Sequence, residues 1–368
     1  MKRGITFMLV LLTIISGCQP TSTTEISISP KESLHEQEKP FEPKEVNLLS
    51  IQSENFERVV GWLSNEEILY VTRQGSDFSL ITYHIETGEK KEITKIDVPI
   101  LEVRIHPDLT KLAVVTSHNS LSATIHIFSV LGDEIDELII ESSEMYWDWD
   151  SLNNEQLFFS AFYEDWSFDS FVYSSVKKEV RRIETSDPFG KWGYESTIHS
   201  INWPPDDSLS GGTLREVDVD TMSFKDSIET NIIFVESYKE INLTVRISEN
   251  QQLFLYTLIN RVDGKNKSYE MPAISNYSQW FVPEVEWLDD GTMITYQALE
   301  SGLMDSIESD YTLVQLSSED TNKQSIWQGP YESFSCSPKG SHCLIGVQLG
   351  ELLDVGSGTV RQWIEIKE

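Results

Sequence analysis

The stretch "EVRIHPDLTKLAVV", residues 102 to 115, decides the fold. An alternating run ending at Ile105 meets a polar turn built on Pro107 and Asp108, and a second, wholly apolar run follows from Leu112. Pro presets the turn dihedral and Asp bonds to its own backbone, so the segment reads as strand, tight turn, strand. The same arrangement recurs as "VVGWLSNEEILYV" (59 to 71), "YWDWDSLNNEQLFFS" (146 to 160), "TVRISENQQLFLYT" (244 to 257), "VEWLDDGTMITY" (285 to 296) and "FSCSPKGSHCLIGV" (334 to 347).

A second motif often follows at the other end of each unit: "YHIETGEKKEI" (83 to 93), "IFSVLGDEIDELI" (127 to 139), "VYSSVKKEVRRI" (172 to 183) and "LLDVGSGTVRQWIEI" (352 to 366). Each unit then holds about four strands, and a repeat of about forty residues with four strands is the signature of a propeller blade. The fold expected is all-β, a β-propeller over residues 46 to 368. A further anchor, "SINWPPDDSLSGG" (200 to 212), is weaker, because "TLREVDVD" behind it is too polar for a buried strand. Six blades with a long insertion is the preferred count, and seven stays open. Trp62, Trp149, Trp203 and Trp287 occupy equivalent repeat positions and are expected in the core or between blades.

The N-terminus carries an address. Lys2 and Arg3 precede an apolar run from residue 5 to 15, too short for a bilayer span of about 20 residues. Residues 1 to 17 therefore read as a signal peptide. The tetrad Ile15-Ser16-Gly17-Cys18 resembles the bacterial lipobox, which implies lipidation of Cys18 and a mature chain that begins there. Two acyl chains, such as palmitate, give stable anchoring where one is marginal. Residues 18 to 45 continue as a Ser-, Thr-, Glu-, Lys- and Pro-rich tether unable to bury enough surface to offset its ordering entropy.

"HPDLTKLAVV", "DDGTMITY" and "SPKGSHCLI" resemble the repeat of TolB-type propellers. With the lipobox and tether, the chain resembles the YqgU-like lipoproteins of low-GC Gram-positive bacteria. That resemblance implies a six-bladed propeller held on the outer face of the cell membrane, and it implies no particular activity.

Formal charge is -32, with 60 acidic against 28 basic residues, which repels phosphate backbones and disfavours nucleic acid as a partner. Beyond Cys18 the cysteines are Cys336 and Cys343, in "SCSPKGSHC". A two-residue loop at Lys339 and Gly340 places them opposite one another, whereas a three-residue loop with a bulge pairs Cys336 with His342. Export permits a disulfide, and zinc is disfavoured because no further Cys or His follows at ligand spacing.

Chemistry is sparse. No His-Glu-x-x-His helix, Gly-x-Ser-x-Gly elbow or glycine-rich phosphate loop is present. His106 belongs to a repeat turn, and His84, His126 and His199 lie in strand segments, where structural roles are expected; His118 lies in the polar loop "SHNSL". "DWD" (148 to 150) and "DVD" (218 to 220) each put two carboxylates on one strand face, a geometry that could bind calcium or serve a glycosidase, although calcium takes about 6 to 8 oxygens and spacing alone does not supply the others. Loops carry the distinctive residues: "FYEDWSFD" (162 to 169), "DPFGKWGYE" (187 to 195), "NYSQWFVPE" (276 to 284) and "LESGLMDSIESDY" (299 to 311). Trp166, Trp192, Tyr194 and Trp280 are thus placed on loops as candidate ligand-binding aromatics, since Trp and Tyr favour binding hot spots. Neighbouring acids Glu164, Asp165, Asp169, Asp305, Glu308 and Asp310 would make a channel mouth electronegative.

The function expected is that of a membrane-anchored binding or scaffolding module for a protein, peptide or cell-wall glycan, without a cofactor or metal. The alternative is an extracytoplasmic hydrolase or lyase on wall glycans, with Asp148 and Asp150 in the channel.

Overall fold

The computed structural model describes residues 46–307, 310–320 and 322–368. The signal peptide, Cys18, the tether and Glu308 lie outside them. Seven four-stranded antiparallel sheets follow one another along the chain, spanning residues 56–96, 100–141, 144–183, 191–226, 232–272, 285–329 and 335–362. They are numbered blades 1 to 7 below. The fold is a β-propeller of four-stranded blades.

The second strand of a blade explains the apolar runs. In Glu67–Gln74, Leu69 and Val71 point into the cluster shared with blade 2, while Ile68 and Tyr70 point into the cluster shared with blade 7. Lys111–Asn119 repeats this, with Leu112 and Val114 on one side and Ala113 and Val115 on the other. A strand covered on both faces has no polar face, so it reads as continuous rather than alternating. Each such Leu, Val or Phe removed from water contributes about 1.5 to 3 kcal/mol.

Seven apolar clusters result, each between successive blades, and the seventh joins blade 7 to blade 1. They are unequal. Between blades 4 and 5 only Ile201, Leu214, Ile232 and Val235 are fully buried, with Trp203 packed against them. The cause is in Thr213–Asp218, where Val217 faces blade 3 and the opposite face offers Leu214 followed by Glu216 and Asp218. This is the segment that looked too polar to be buried.

The interval that suggested an insertion holds a blade of its own, which settles on seven sheets in place of the preferred six. Blade 4 begins with only two ladder residues, Lys191–Trp192, and blade 5 with Ile232–Tyr238. The "TVRISENQQLFLYT" repeat spans the second and third strands of blade 5, Ile241–Ile247 and Leu253–Asn260, not the first and second. "SINW" likewise ends the second strand of blade 4, Thr197–Asn202. Trp203 is therefore not equivalent to Trp62, Trp149 and Trp287, which sit at the ends of first strands.

Every blade is built from one continuous segment, so no blade mixes the two termini. Closure comes from outside the blades: Leu49–Gln52 pairs in parallel with Ile364–Lys367. Trp62 Nε1 donates to the Ser335 carbonyl at 2.9 Å, and the Lys339 amide donates to Asn65 Oδ1 at 3.0 Å.

Cys336 and Cys343 are direct cross-strand partners, and their sulfurs stand 1.95 Å apart. The intervening turn is closed by the Gly340 amide on the Ser337 carbonyl, 2.7 Å, with Gly340 at φ 68°. That left-handed conformation is what glycine supplies without strain.

The first strands of the blades run side by side around the channel. Their starts, the links between blades and the turns joining second to third strands form one rim, called upper; their ends and the remaining turns form the lower rim.

Candidate functional site

Among the cavities that first strands border, two lie at opposite rims. The lower one, about 420 Å³, is lined by first-strand ends, among them Trp62, Arg104, Tyr238, Glu286 and Trp287. Arg104 and Glu286 there already have partners. Arg104 pairs with Glu102, donates to the Trp147 carbonyl at 2.8 Å and lies 4.3 Å over the Trp147 ring. Glu286 is pushed up to about 8 by burial and accepts from the Cys336 amide. Stacking of Tyr238 on Trp287, 5.6 Å between centroids and 7° between planes, walls one side.

The upper cavity is larger, about 680 Å³, within the range of about 300 to 1,000 Å³ typical of ligand pockets. It opens at the thin seam between blades 4 and 5. Ile201 and Trp203 come from one side of the seam, Ile233, Phe234 and Val235 from the other. Phe189 and Asp187, on the link from blade 3, and Trp280, on the link into blade 6, complete the wall with Tyr146. Two hydrogen bonds tie the flanking loops together: Trp280 Nε1 to the Leu209 carbonyl, 2.9 Å, and Ser208 Oγ to the Ser278 carbonyl, 2.8 Å. Aromatic packing continues onto the rim, where Phe189 meets Tyr146 at 5.3 Å and Phe162 at 6.0 Å.

Two polar groups mark the inside. Asp187 is buried and accepts from the Phe189 amide at 2.7 Å and from Trp203 Nε1. Desolvation raises its carboxyl above the usual range, and these two donors only partly offset that. Lys191 lies at the floor between acids of the neighbouring first strands, 3.5 Å from Asp148 and 2.9 Å from Glu236. Burial alone would lower it, but Glu236 and Asp148 hold it well above its ordinary value, so it stays charged. Lys191 lines the upper cavity, while Asp148 and Glu236 also line a smaller space of about 150 Å³ toward the lower rim.

The four aromatics expected on loops do not converge. Trp192 is no loop residue: it lies in the first strand of blade 4, is 3 % exposed and packs between blades 3 and 4. It is the positional equivalent of Trp62, donating Nε1 to the Asp148 carbonyl of the preceding blade. Tyr194 sits half-buried in the following turn at the lower rim. Trp166 tops the turn between second and third strands of blade 3, 86 % exposed, with φ 66°. Trp280 alone of the four lines the upper cavity.

The paired carboxylates separate as well. Asp148 faces the channel and Lys191, whereas Asp150 turns into the lower rim and accepts from the Leu152 amide at 2.9 Å. Asp218 accepts from the amides of Asp220 and Thr221, closing a turn. Among the described residues no group of three or more His, Cys, Asp or Glu converges on a point where a metal would sit. His106 is structural: Nδ1 accepts from the Asp108 amide at 3.0 Å, so the Nε2 hydrogen points to the Asp150 carbonyl at 2.9 Å. His118 is exposed at the end of a strand.

Residues 84–346 match the family described as the YqgU-like 6-bladed beta propeller domain. The chain belongs to that family. Its description counts six blades, whereas seven four-stranded sheets are present here. An uncharacterized lipoprotein of Bacillus subtilis, YqgU, is 21 % identical over 99 % of this chain and 98 % of its own. Among solved structures, uncharacterized protein lmo1340 from Listeria monocytogenes superposes with a TM-score of 0.78 at 21 % identity, covering 88 % of this chain and 98 % of that one. The β-propeller domain of the Trilobed protease from Pyrococcus furiosus gives 0.52 at 11 % identity, over 84 % and 97 %. An oligogalacturonate lyase from Vibrio parahaemolyticus gives 0.52 at 14 %, over 83 % and 89 %. At these identities the likeness is one of fold.

Sequence reading missed Asp187, Phe189 and Lys191, although all three lie in the quoted stretch "DPFGKWGYE". The usable signal was the polarity of "TLREVDVD": a blade face without apolar side chains leaves its seam unfilled.

Proposed function

We propose that this chain is a lipid-anchored extracytoplasmic binding module that engages a peptide, protein or wall-derived ligand through the upper cavity. The observation that carries the reading is the cavity at the seam of blades 4 and 5, lined by five aromatic side chains and holding a buried carboxylate. Concave, mostly apolar sites with a few placed polar groups are where ligands bind. Of the exposed aromatics among the described residues, Tyr163, Trp166, Phe189 and Tyr277 lie on upper-rim turns or links, and Phe224 begins a fourth strand at the lower rim. Anchoring through Cys18, signal processing and the outer-face location rest on the lipobox and on the lipoprotein relative.

Two experiments test this. Substituting Cys18→Ala in the full chain should move it from the membrane fraction to the soluble one; unchanged partitioning would sink the anchoring. Full-length protein in detergent, used as bait for solubilised envelope and for wall digests, should retain a ligand that a Phe189→Ser, Trp280→Ala double variant of unchanged melting temperature loses. Equal retention by both proteins would move the site elsewhere.

A further inference from the structure

We infer that the upper cavity takes an organic cation, an ammonium group carried on or within an apolar body. This deepens the binding reading above and depends on it. Three observations lead to it.

First, the walls are aromatic. Tyr146, Phe189, Trp203, Phe234 and Trp280 face one space of about 680 Å³. Ring faces carry negative quadrupole, so an enclosed set of them attracts a cation while accepting its methylenes or methyls.

Second, the cavity holds an unmatched carboxylate. Asp187 is buried, and its oxygens accept only the Phe189 amide and the Trp203 indole N–H. A carboxylate has about four lone-pair positions, so it retains room for a further donor. No ion-pair partner of Asp187 exists among the described residues. A buried carboxylate without a counter-charge is costly, and a cationic ligand would supply that charge.

Third, the cation already in the wall is spent. Lys191 is bracketed by Asp148 and Glu236, so the floor carries no net positive charge. The field of a chain at -32 further concentrates cations at such a mouth. A neutral sugar would stack on the aromatic faces and donate hydroxyls to Asp187, but it would leave the carboxylate without a counter-charge. An anion would meet Asp187 unfavourably.

The test uses the full-length protein in a non-ionic detergent and ligand-detected NMR. Probes are choline, its neutral carbon isostere 3,3-dimethylbutan-1-ol, and Nα-acetyl-lysine amide; the last separates a peptide-borne primary ammonium from a quaternary one. Saturable binding of at least one cation, about tenfold tighter than the alcohol, is expected. Asp187→Asn should remove that preference. Phe189→Leu, at a half-exposed position, should weaken the cation while sparing the alcohol, and it keeps the test sound if Asp187→Asn does not fold. Equal binding of alcohol and cations would overturn the cation while leaving the cavity as a site. Absence of saturable binding by either cation would overturn the inference, and the capture experiment above then judges the cavity separately.

Discussion

The indole N–H of Trp192 donates to the main-chain carbonyl of Asp148, 3.2 Å away on the preceding blade. Trp62 makes the same bond to Ser335 across the closure of the ring. An indole at this position fills the seam between two first strands and satisfies a carbonyl that the channel edge leaves unpaired. Trp192→Ala should therefore destabilise the protein by about 3 to 5 kcal/mol. Trp166→Ala, in the exposed turn, should stay within about 0.5 kcal/mol. Equilibrium unfolding in urea compares the two directly, and similar losses would contradict the placement of Trp192.

Lys191 unites three first strands through two acids. Lys191→Met leaves Asp148 and Glu236 facing each other without a counter-charge, and breaking a buried pair in this way costs about 3 to 5 kcal/mol. Adding Asp148→Asn and Glu236→Gln to the Met variant should restore most of that loss. A triple variant no more stable than the single one would show that charge is not what Lys191 contributes.

Glu286 makes stability fall with rising pH. Its folded value is about 8, raised by burial from 4.5, so the native state keeps a proton that the unfolded chain releases. The contribution is complete below pH 4.5 and is lost as pH climbs through about 8. Melting temperature measured from pH 5 to pH 9 should decline, and Glu286→Gln should flatten the profile. A variant with an unchanged slope would assign the decline to other groups.

Cys336 and Cys343 offer a further check on the wall of the lower cavity. A bond closing a loop of sequence separation 7 constrains the unfolded chain by about 2 to 3 kcal/mol. The double Cys→Ser variant should lose about that much, and peptide mapping without reductant should recover the two cysteines linked. Free thiols at both positions in protein prepared without reductant would refute the link.

Much of the architecture was legible because strand repeats leave a local mark. "KLAVV" and "EQLFFS" are apolar without alternation because both faces of a second strand are covered, and turn residues such as Pro107 and Gly340 punctuate them. Blade 4 was hard to read because its first strand has only two ladder residues and its third carries acids. The same polarity that hid the blade from a pattern search opens the cavity beside it.

By itself, then, the sequence determined an all-β repeat of four-stranded units and a lipobox-like tetrad, both properties of short windows, and an acidic overall composition. The tertiary structure decided the rest: that Trp192 is a seam residue, that Asp148 answers Lys191 and not Asp150, and that Asp187, Trp203 and Trp280 share one cavity. These residues come from blades 3 and 4 and from the links that flank blades 4 and 5, and only the packing of successive blades brings them within contact distance. Sequence spacing carries no record of that distance, because propeller geometry sets it through the packing of whole sheets.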